Sequence, residues 1–507
     1  MMRRSRQLTA YSAIIGALLS GACGCATQRY AAGDRLEQRS EVVTASPSAS
    51  VFEPSAEQSA TDETTASEIE LTSFLMLEDE PESDNTIPSP ETMLAELPED
   101  EFNAQLDLET LIGMAIQANP SLLQAQDAIA QASGIHKQVG LKPNPTFSYF
   151  AQEMGNDGTA GLHGVQISQT IVRGDKLQSN RCVLAQDLQQ LQWEFQVQRQ
   201  RLETDVRRSF YKVLTSQHKL QQAKAFRQQA VKAVNIAQQR LTAQEGTKPD
   251  LLQSQILLDQ IDLSIRTTEL QWEAAWTELA ATIGHPQLKP SQIAGQFPMP
   301  QPMVQEQLLE QMVNFSPQFA AASAQIERAR TNLDRQRLQK IPNLQTQLGV
   351  GHDDGTGDAY ASLQLGLTLP VRNQNQGNVR AAHAQYSAAI QNYERLRLKL
   401  KRDLAEVVKR YEVAATNVER YSTQILPKAE ESLKLVETAY SAGDVEFLRL
   451  LTARQTLFDF QQQLVEARGE LSIAKAELDG QLLSDALGTA VTFEGDDGLR
   501  GQALSGQ

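Results

Sequence analysis

Side chains able to do covalent or metal chemistry are sparse in this chain and stand apart from one another. The six histidines, His136, His163, His218, His285, His352 and His383, are scattered singly. No His or Cys pair has metal-ligand spacing, so neither a zinc site nor another metal cofactor is expected. No glycine loop shaped to cradle phosphate, no nucleophile elbow and no carboxylate pair stands out, and the chain is not expected to be an enzyme. Two of the three cysteines, Cys23 and Cys25, follow Arg3, Arg4 and Arg6 and an apolar run from Leu8 to Leu19. That is the layout of a secretory signal peptide over residues 1–25, too short to span a bilayer permanently. Ser20-Gly21-Ala22-Cys23 resembles a bacterial lipobox with its usual leucine displaced to Leu19, so lipidation at Cys23 or Cys25 and ordinary cleavage both fit. Cys182, alone near a helix start, reads as inert. What remains is noncovalent work: recognition or conduction.

From Glu41 to Glu109 the chain has no Lys or Arg, while Asp, Glu, Ser, Thr and Pro dominate. Residues 26–105 are therefore expected to be a disordered acidic linker, a solvated tether rather than a cation-binding tail. This stretch accounts for most of the formal net charge of −16, and the remainder is near balance. The segment 484–507, rich in Gly and Asp, is expected to be a flexible tail. Arg395, Arg397, Lys399, Lys401 and Arg402 form a basic cluster on an exposed-looking helix. In an exported chain that reads as a solvated face or a pore lining, and no nucleic acid partner is expected.

Behind these residues lies a duplicated plan. One copy, 106–290, passes Asn119-Pro120, a helix, and Pro143-Asn144-Pro145, where an apolar/polar alternation begins. The other, 303–483, passes Ser316-Pro317 and Pro342-Asn343 with the same change of period. Ala185-Gln186 corresponds to Ala384-Gln385, Gly246 to Gly443 and Gln255 to Gln455. The body between Leu106 and Leu483 has no apolar run of 18 residues, so a membrane role would have to be that of a β-barrel.

Four strands of roughly ten residues are predicted. Ala361, Leu363, Leu365, Leu367 and Leu369 share one face and Tyr360, Ser362, Gln364, Gly366 and Thr368 the other. Leu344, Thr346, Leu348 and Val350 oppose Gln345, Gln347 and Gly349. Val165, Ile167 and Ile171 alternate with Gln166, Ser168 and Thr170, and Phe147, Tyr149 and Ala151 with Thr146, Ser148 and Gln152. Glycine-rich polar loops, 155–158 and 353–358, close each pair. A soluble antiparallel sheet would alternate in the same way, but no short helix is placed to cover one. If the strands span a bilayer, every backbone group must be paired within protein, and about eight strands are the fewest that close. Four cannot close alone, so identical copies must share one barrel, with the polar faces lining its bore.

Around the strands, apolar residues recur at three and four from Asp175 to Gln244 and again from Gly377 to Tyr440. A helix of about 65–70 residues reaches roughly 100 Å, several times a membrane thickness. Each ends at a tight turn, 244–249 or 441–444, from which a shorter helix returns. The turns lie farthest from the strands, where a constriction or a docking partner would sit.

The duplicated plan, the passage Leu369-Pro370-Val371-Arg372-Asn373 before Gly377, and Tyr440-Ser441-Ala442-Gly443 leading into Phe447-Leu448 and Leu450-Leu451 together resemble the TolC family of outer-membrane efflux proteins. The resemblance covers Leu106 to Leu483. It implies a mainly α fold with β: duplicated long helical hairpins and four transmembrane strands per chain. Three chains would form a homotrimeric 12-stranded β-barrel in outer-membrane lipid, continuous with a helical barrel in the periplasm. It further implies docking on a periplasmic adaptor protein and an inner-membrane pump, with passive conduction. By the same resemblance Tyr440 and Asp250 match two members of a periplasmic latch. The latch arginine is matched by Val445, and Arg449 and Thr452 stand where pore-narrowing aspartates would be. The same ionic lock therefore cannot operate; Asp444 and Glu446 are either a substitute acidic ring or simply solvated turn carboxylates. The alternatives are a type I protein-secretion duct, which shares this architecture, and a periplasmic coiled-coil adaptor, which would carry one hairpin flanked by β-domains rather than two hairpins each preceded by a strand pair.

Overall fold

The computed structural model describes residues 106–505 except 156, 157, 159, 494, 496 and 497. The expected signal peptide, Cys23, Cys25 and the acidic linker lie outside the described residues, as do Asn156 and Asp157 of the first hairpin loop.

Each repeat begins with two helices meeting at a proline. Helix α1 (Leu108–Ala118) is capped by Asp107, whose carboxylate accepts the Thr110 N–H at 2.9 Å, and stops at Asn119. Asn119 then caps α2 (Pro120–Val139): its side-chain oxygen accepts the Ser121 N–H at 2.9 Å, and Pro120 occupies the first turn, where a missing N–H costs nothing. Its amide also donates to the Thr282 carbonyl at 2.7 Å, tying this corner to a helix 163 residues on. The second repeat keeps the proline break, without the side-chain caps, between α5 (Gln305–Phe315) and α6 (Pro317–Leu338).

Strands β1 (Thr146–Gln152), β2 (Leu162–Ile171), β3 (Leu344–Asp353) and β4 (Asp358–Leu367) form one antiparallel sheet in that order. Strand β1 has seven residues rather than the ten expected. At Glu153 the backbone enters the left-handed region (φ 58°), which ends the pairing. Register decides the faces, because directly paired residues lie on the same side. Phe147 pairs with Ile167, Ile167 with Leu348 and Leu348 with Leu363; Tyr149, Val165, Val350 and Ala361 form the next apolar row. The predicted alternation thus aligns across all four strands into one apolar face. That face is bare among the described residues: Phe147 is 70% exposed and Leu363 69%, and no described helix packs across the sheet. Strands β1 and β4 each leave one edge unpaired.

Helix α3 runs 67 residues, Lys176–Thr242, and α4 (Lys248–Ile283) returns beside it. Its counterpart starts and stops at positions offset by 200, from Gln376 to Ala442, but in three pieces: α7 (Gln376–Arg420), a π turn (Tyr421–Ile425) and α8 (Leu426–Ala442). An unbroken helix is what the periodicity predicts; Pro427, which lacks an N–H to give to residue 423, sits just past the π turn, where the Leu426 N–H reaches back to the Tyr421 carbonyl. Helix α9 (Phe447–Asp479) closes the second hairpin.

The two hairpins share a core built on α3, which packs against α2, α4, α6 and α9. Glycines permit the closest approach: Thr215 and Thr204 of α3 fill the places where Cβ atoms would stand on Gly469 of α9 and on Gly480 at its C-terminal cap. Farther out, Ala223, Ala230, Ala233 and Ala237 keep α3 close to its neighbours, and Phe226 stacks on Phe458 with centroids 4.4 Å apart. Glu477 of α9, 11% exposed, is ion-paired with Arg208 of α3 at 3.1 Å and with Arg410 of α7. Replacing Glu477 by Ala takes a carboxylate from two guanidiniums, but both keep a third to a half of their surface in water and Arg208 retains Asp205 at 3.5 Å. The expected cost is about 1–2 kcal/mol rather than the several of a fully buried pair. Thermal unfolding in detergent would register it as a lowered Tm.

The expected flexible tail is a correction. The described residues between 484 and 505 pack along α3 and run back toward the sheet, meeting that helix at successive steps of about seven residues. The Ala486 N–H donates to Asp205 at 2.8 Å, and Gln198 donates to the carbonyls of Ala486 and Thr489 at 2.6 and 3.0 Å. Val491 joins Leu191 and α2, and Leu499, on the terminal helix α10 (Gly498–Ser505), joins Val183 and Leu184. Composition misleads here because a few apolar residues and bare backbone groups suffice when a long helix supplies the partners.

Candidate gate at the hairpin tips

Both hairpins turn at their far ends through residues with positive φ: Gln244 (61°) in the first repeat, Gly443 (86°) in the second. Gly443 closes α8, with the Asp444 N–H returning to the Ala439 carbonyl at 2.9 Å. Cross-helix ion pairs staple each hairpin below its turn, those nearest the tip being Arg227 with Asp262 in the first and Arg454 with Glu437 (2.8 Å) in the second.

Tyr440 lies half-buried in the last turn of α8, its ring 5.8 Å from that of Phe447 and packed on the apolar cluster that the two hairpins share. Its hydroxyl accepts a hydrogen bond from Arg240 at 2.6 Å, and the guanidinium carbon stands 5.6 Å from the ring centroid. Arg240 belongs to the last turn of α3 and also donates to the Glu245 carbonyl at 3.1 Å. One guanidinium therefore holds the turn of the first repeat and the tyrosine of the second, 200 residues away. A hydrogen bond and a cation–π contact to the same ring reinforce one another.

Asp250 is placed otherwise than the resemblance implies. Its carboxylate accepts from the Thr247 N–H at 3.1 Å and hydroxyl at 2.7 Å, while its own N–H goes to Thr247 Oγ1. That is a reciprocal cap on α4, and no hydrogen bond joins it to Tyr440. Asp444, Glu446 and Arg449 are exposed, and none forms an ion pair with a described residue of this chain. Thr452 returns its hydroxyl to the Leu448 carbonyl of its own helix at 3.0 Å. Of the six candidates, then, only Tyr440 is tied across the two hairpins. Arg240 is the partner that sequence reasoning missed. A lone arginine in a helix rich in Gln and Arg gives no local signal of a bond to a residue in the other repeat.

A sheet with one bare apolar face and open edges, joined to two helical hairpins about 100 Å long and laced together at their tips, defines a class: membrane-seated export ducts. The chain belongs to the outer membrane efflux protein family, whose model matches residues 111–285 and 308–482, one match per repeat. It is 23% identical over 375 residues to the cobalt-zinc-cadmium resistance protein CzcC of Cupriavidus metallidurans, spanning 74% of this chain and 89% of that one. To the pyoverdine export outer membrane protein OpmQ of Pseudomonas putida it is 26% identical over 257 residues, 48% of this chain and 53% of that one. Among solved structures it superposes on the outer membrane protein VceC of Vibrio cholerae with a TM-score of 0.61 at 16% identity, covering 74% of this chain and 96% of VceC.

Proposed function

We propose that this protein is the exit duct of a three-part efflux assembly. Three copies close a 12-stranded barrel in the outer membrane, their hairpins form a periplasmic tunnel, and a periplasmic adaptor and an inner-membrane pump engage the tips and drive solute through. The observation that carries the reading is the uncovered apolar face of a sheet with two open edges. In water such a face and such edges invite aggregation. In lipid the face is satisfied outright, and the edges are satisfied once β4 of one copy pairs with β1 of the next. Efflux is favoured over type I protein secretion because the two curated relatives are named for metal resistance and for pyoverdine export. The test is assembly and topology. In detergent the protein should run as a heat-sensitive trimer. Cysteines placed at Leu365 and Leu367 should react only with lipid-soluble reagents, and one at Gln364 with aqueous reagents. A monomer that conducts ions, or equal aqueous labelling of all three positions, refutes the reading.

In this duct Arg240 and Tyr440 keep the periplasmic end narrow. The Arg240→Ala trimer should conduct more than the unaltered one, because a charge-assisted bond in a partly exposed site contributes about 1 kcal/mol and its loss shifts an open–closed equilibrium roughly fivefold. Tyr440→Phe, which removes only the acceptor oxygen, should show part of the same rise. Single-channel recording in planar bilayers reads both, and an unchanged conductance in Arg240→Ala excludes this latch.

A further inference from the structure

The polar face of the sheet carries one row unlike the others. Phe150 pairs with Gly164, Gly164 with Gly351 and Gly351 with Tyr360, so the two edge strands contribute aromatic rings and the two central strands contribute no side chain. The rings lean inward over the glycines until their centroids are 6.5 Å apart, inclined at 56°. A Cβ on Gly164 would stand 2.6 Å from Cζ of Phe150, and one on Gly351 2.8 Å from Cζ and the hydroxyl oxygen of Tyr360. The glycines therefore let both rings lie along the wall, half-buried, instead of standing out from it. Covering strand glycines with aromatic rings stabilises a sheet. The surroundings indicate a second use.

On the same face, two residues nearer the hairpin loops, Asp353 pairs with Asp358. Asp353 is fixed by the Gly355 N–H at 2.9 Å and the Thr356 hydroxyl at 3.0 Å. Toward the helices the rows hold only Ser, Thr, Gln and Gly: Ser148, Gln166, Gly349 and Ser362 in the next, then Thr146, Ser168, Gln347 and Gln364. No Lys or Arg lies on this face of the four strands. Ring faces beside carboxylates, with no competing base, suit a cation with an apolar surface. We infer that the Phe150–Tyr360 row is a contact site for organic cations just inside the outer mouth of the bore. Ammonium or phosphonium groups rest there on the ring faces within the field of Asp353 and Asp358, and three sheets closed in a barrel repeat the row as a collar.

This inference rests on the duct reading, since a bore exists only if the sheets close. The experiment is single-channel recording of the unaltered trimer with tetraethylammonium added on the loop side, and benzenesulfonate as the anionic control. The cation should reduce the current in a concentration-dependent way, and the anion should not. The double variant Phe150→Ala/Tyr360→Ala should need about tenfold more cation for the same block, Tyr360→Phe should keep the block, and Asp358→Asn should weaken it. Because Asp358→Asn leaves the ring packing in place, it tests the site even if the double variant fails to assemble. A conducting trimer blocked equally before and after Asp358→Asn or the double change, or blocked as well by the anion, overturns the collar alone. A trimer that carries no current overturns the duct itself and the collar with it.

Discussion

Replacing Arg335 by alanine is expected to destabilise the folded chain by about 3–5 kcal/mol and to leave little heat-stable trimer. The side chain is 1% exposed and gathers three segments at one point. Its Nε donates to Asn180 of α3 at 2.6 Å, and one terminal nitrogen donates to the Leu499 carbonyl at 3.1 Å and to Gln502 at 3.0 Å on the tail helix. Asn180 in turn donates to Leu499 O at 3.0 Å. Asn343, at the foot of β3, accepts from the buried Lys176 at 3.0 Å and donates to the Ala503 carbonyl at 2.7 Å. Burial pushes the pKa of the Lys176 ammonium below its ordinary value. Alanine at 335 would strand the Asn180 side-chain oxygen in a dry site, an unmet polar group worth about 1–3 kcal/mol, and leave the Leu499 carbonyl with Asn180 alone as donor. Lysine at 335 keeps the charge but cannot fork to Asn180 and Leu499 together, so an intermediate loss is expected. Removing residues 484–507 should be at least as damaging as Arg335→Ala, because it also uncovers Leu184 and Leu191. The check is the trimer-to-monomer transition temperature on unboiled gels. An unchanged midpoint in Arg335→Ala would mean that the tail is ornamental.

How far the sequence revealed these arrangements depends on the range of the interaction. Strand alternation was legible because each face of the sheet meets a single environment, so side-chain polarity records it at every second residue. The ends of the strands were less so, since β1 stops at a local backbone twist at Glu153 that polarity does not report. Helix length in the second repeat was visible to within a few residues, yet its π turn was not, although Pro427 stood in plain view and marks the place. At the tips, Thr247-Lys248-Pro249-Asp250 spells a cap that uses the Asp250 carboxylate locally, whereas resemblance drew attention to a distant bond with Tyr440. The bonds that were illegible, Arg240 to Tyr440 and Arg335 to Leu499, join residues 200 and 164 apart. Each is one polar contact among many equivalent arginines, and only the fold selects which arginine makes it.

Lysine at position 363 and lysine at position 364, one residue apart on β4, should behave as opposites. Leu363 sits mid-strand on the apolar face, 69% exposed and beside Leu348, which is itself 54% exposed. In the proposed barrel that surface meets hydrocarbon, where a lysine costs about 2–4 kcal/mol near the bilayer midplane, and a trimer carries the substitution three times. Leu363→Lys should therefore abolish assembly in the outer membrane, or leave only trimers that dissociate without heating. Gln364 pairs with Gln347 on the polar face, next to Gly366 and Ser362, where water solvates a new ammonium at little expense. Gln364→Lys should assemble normally and place three positive charges in a bore whose other strand residues bear only carboxylates, at Asp353 and Asp358, so the current should shift toward anions. Reversal potentials in a salt gradient measure that shift, and the heat-stable trimer fraction measures the first effect. A soluble sheet covered by another protein would penalise Leu363→Lys too, but it would give Gln364→Lys no effect on ion selectivity. The pair of results therefore separates a lipid-embedded wall from a merely buried one.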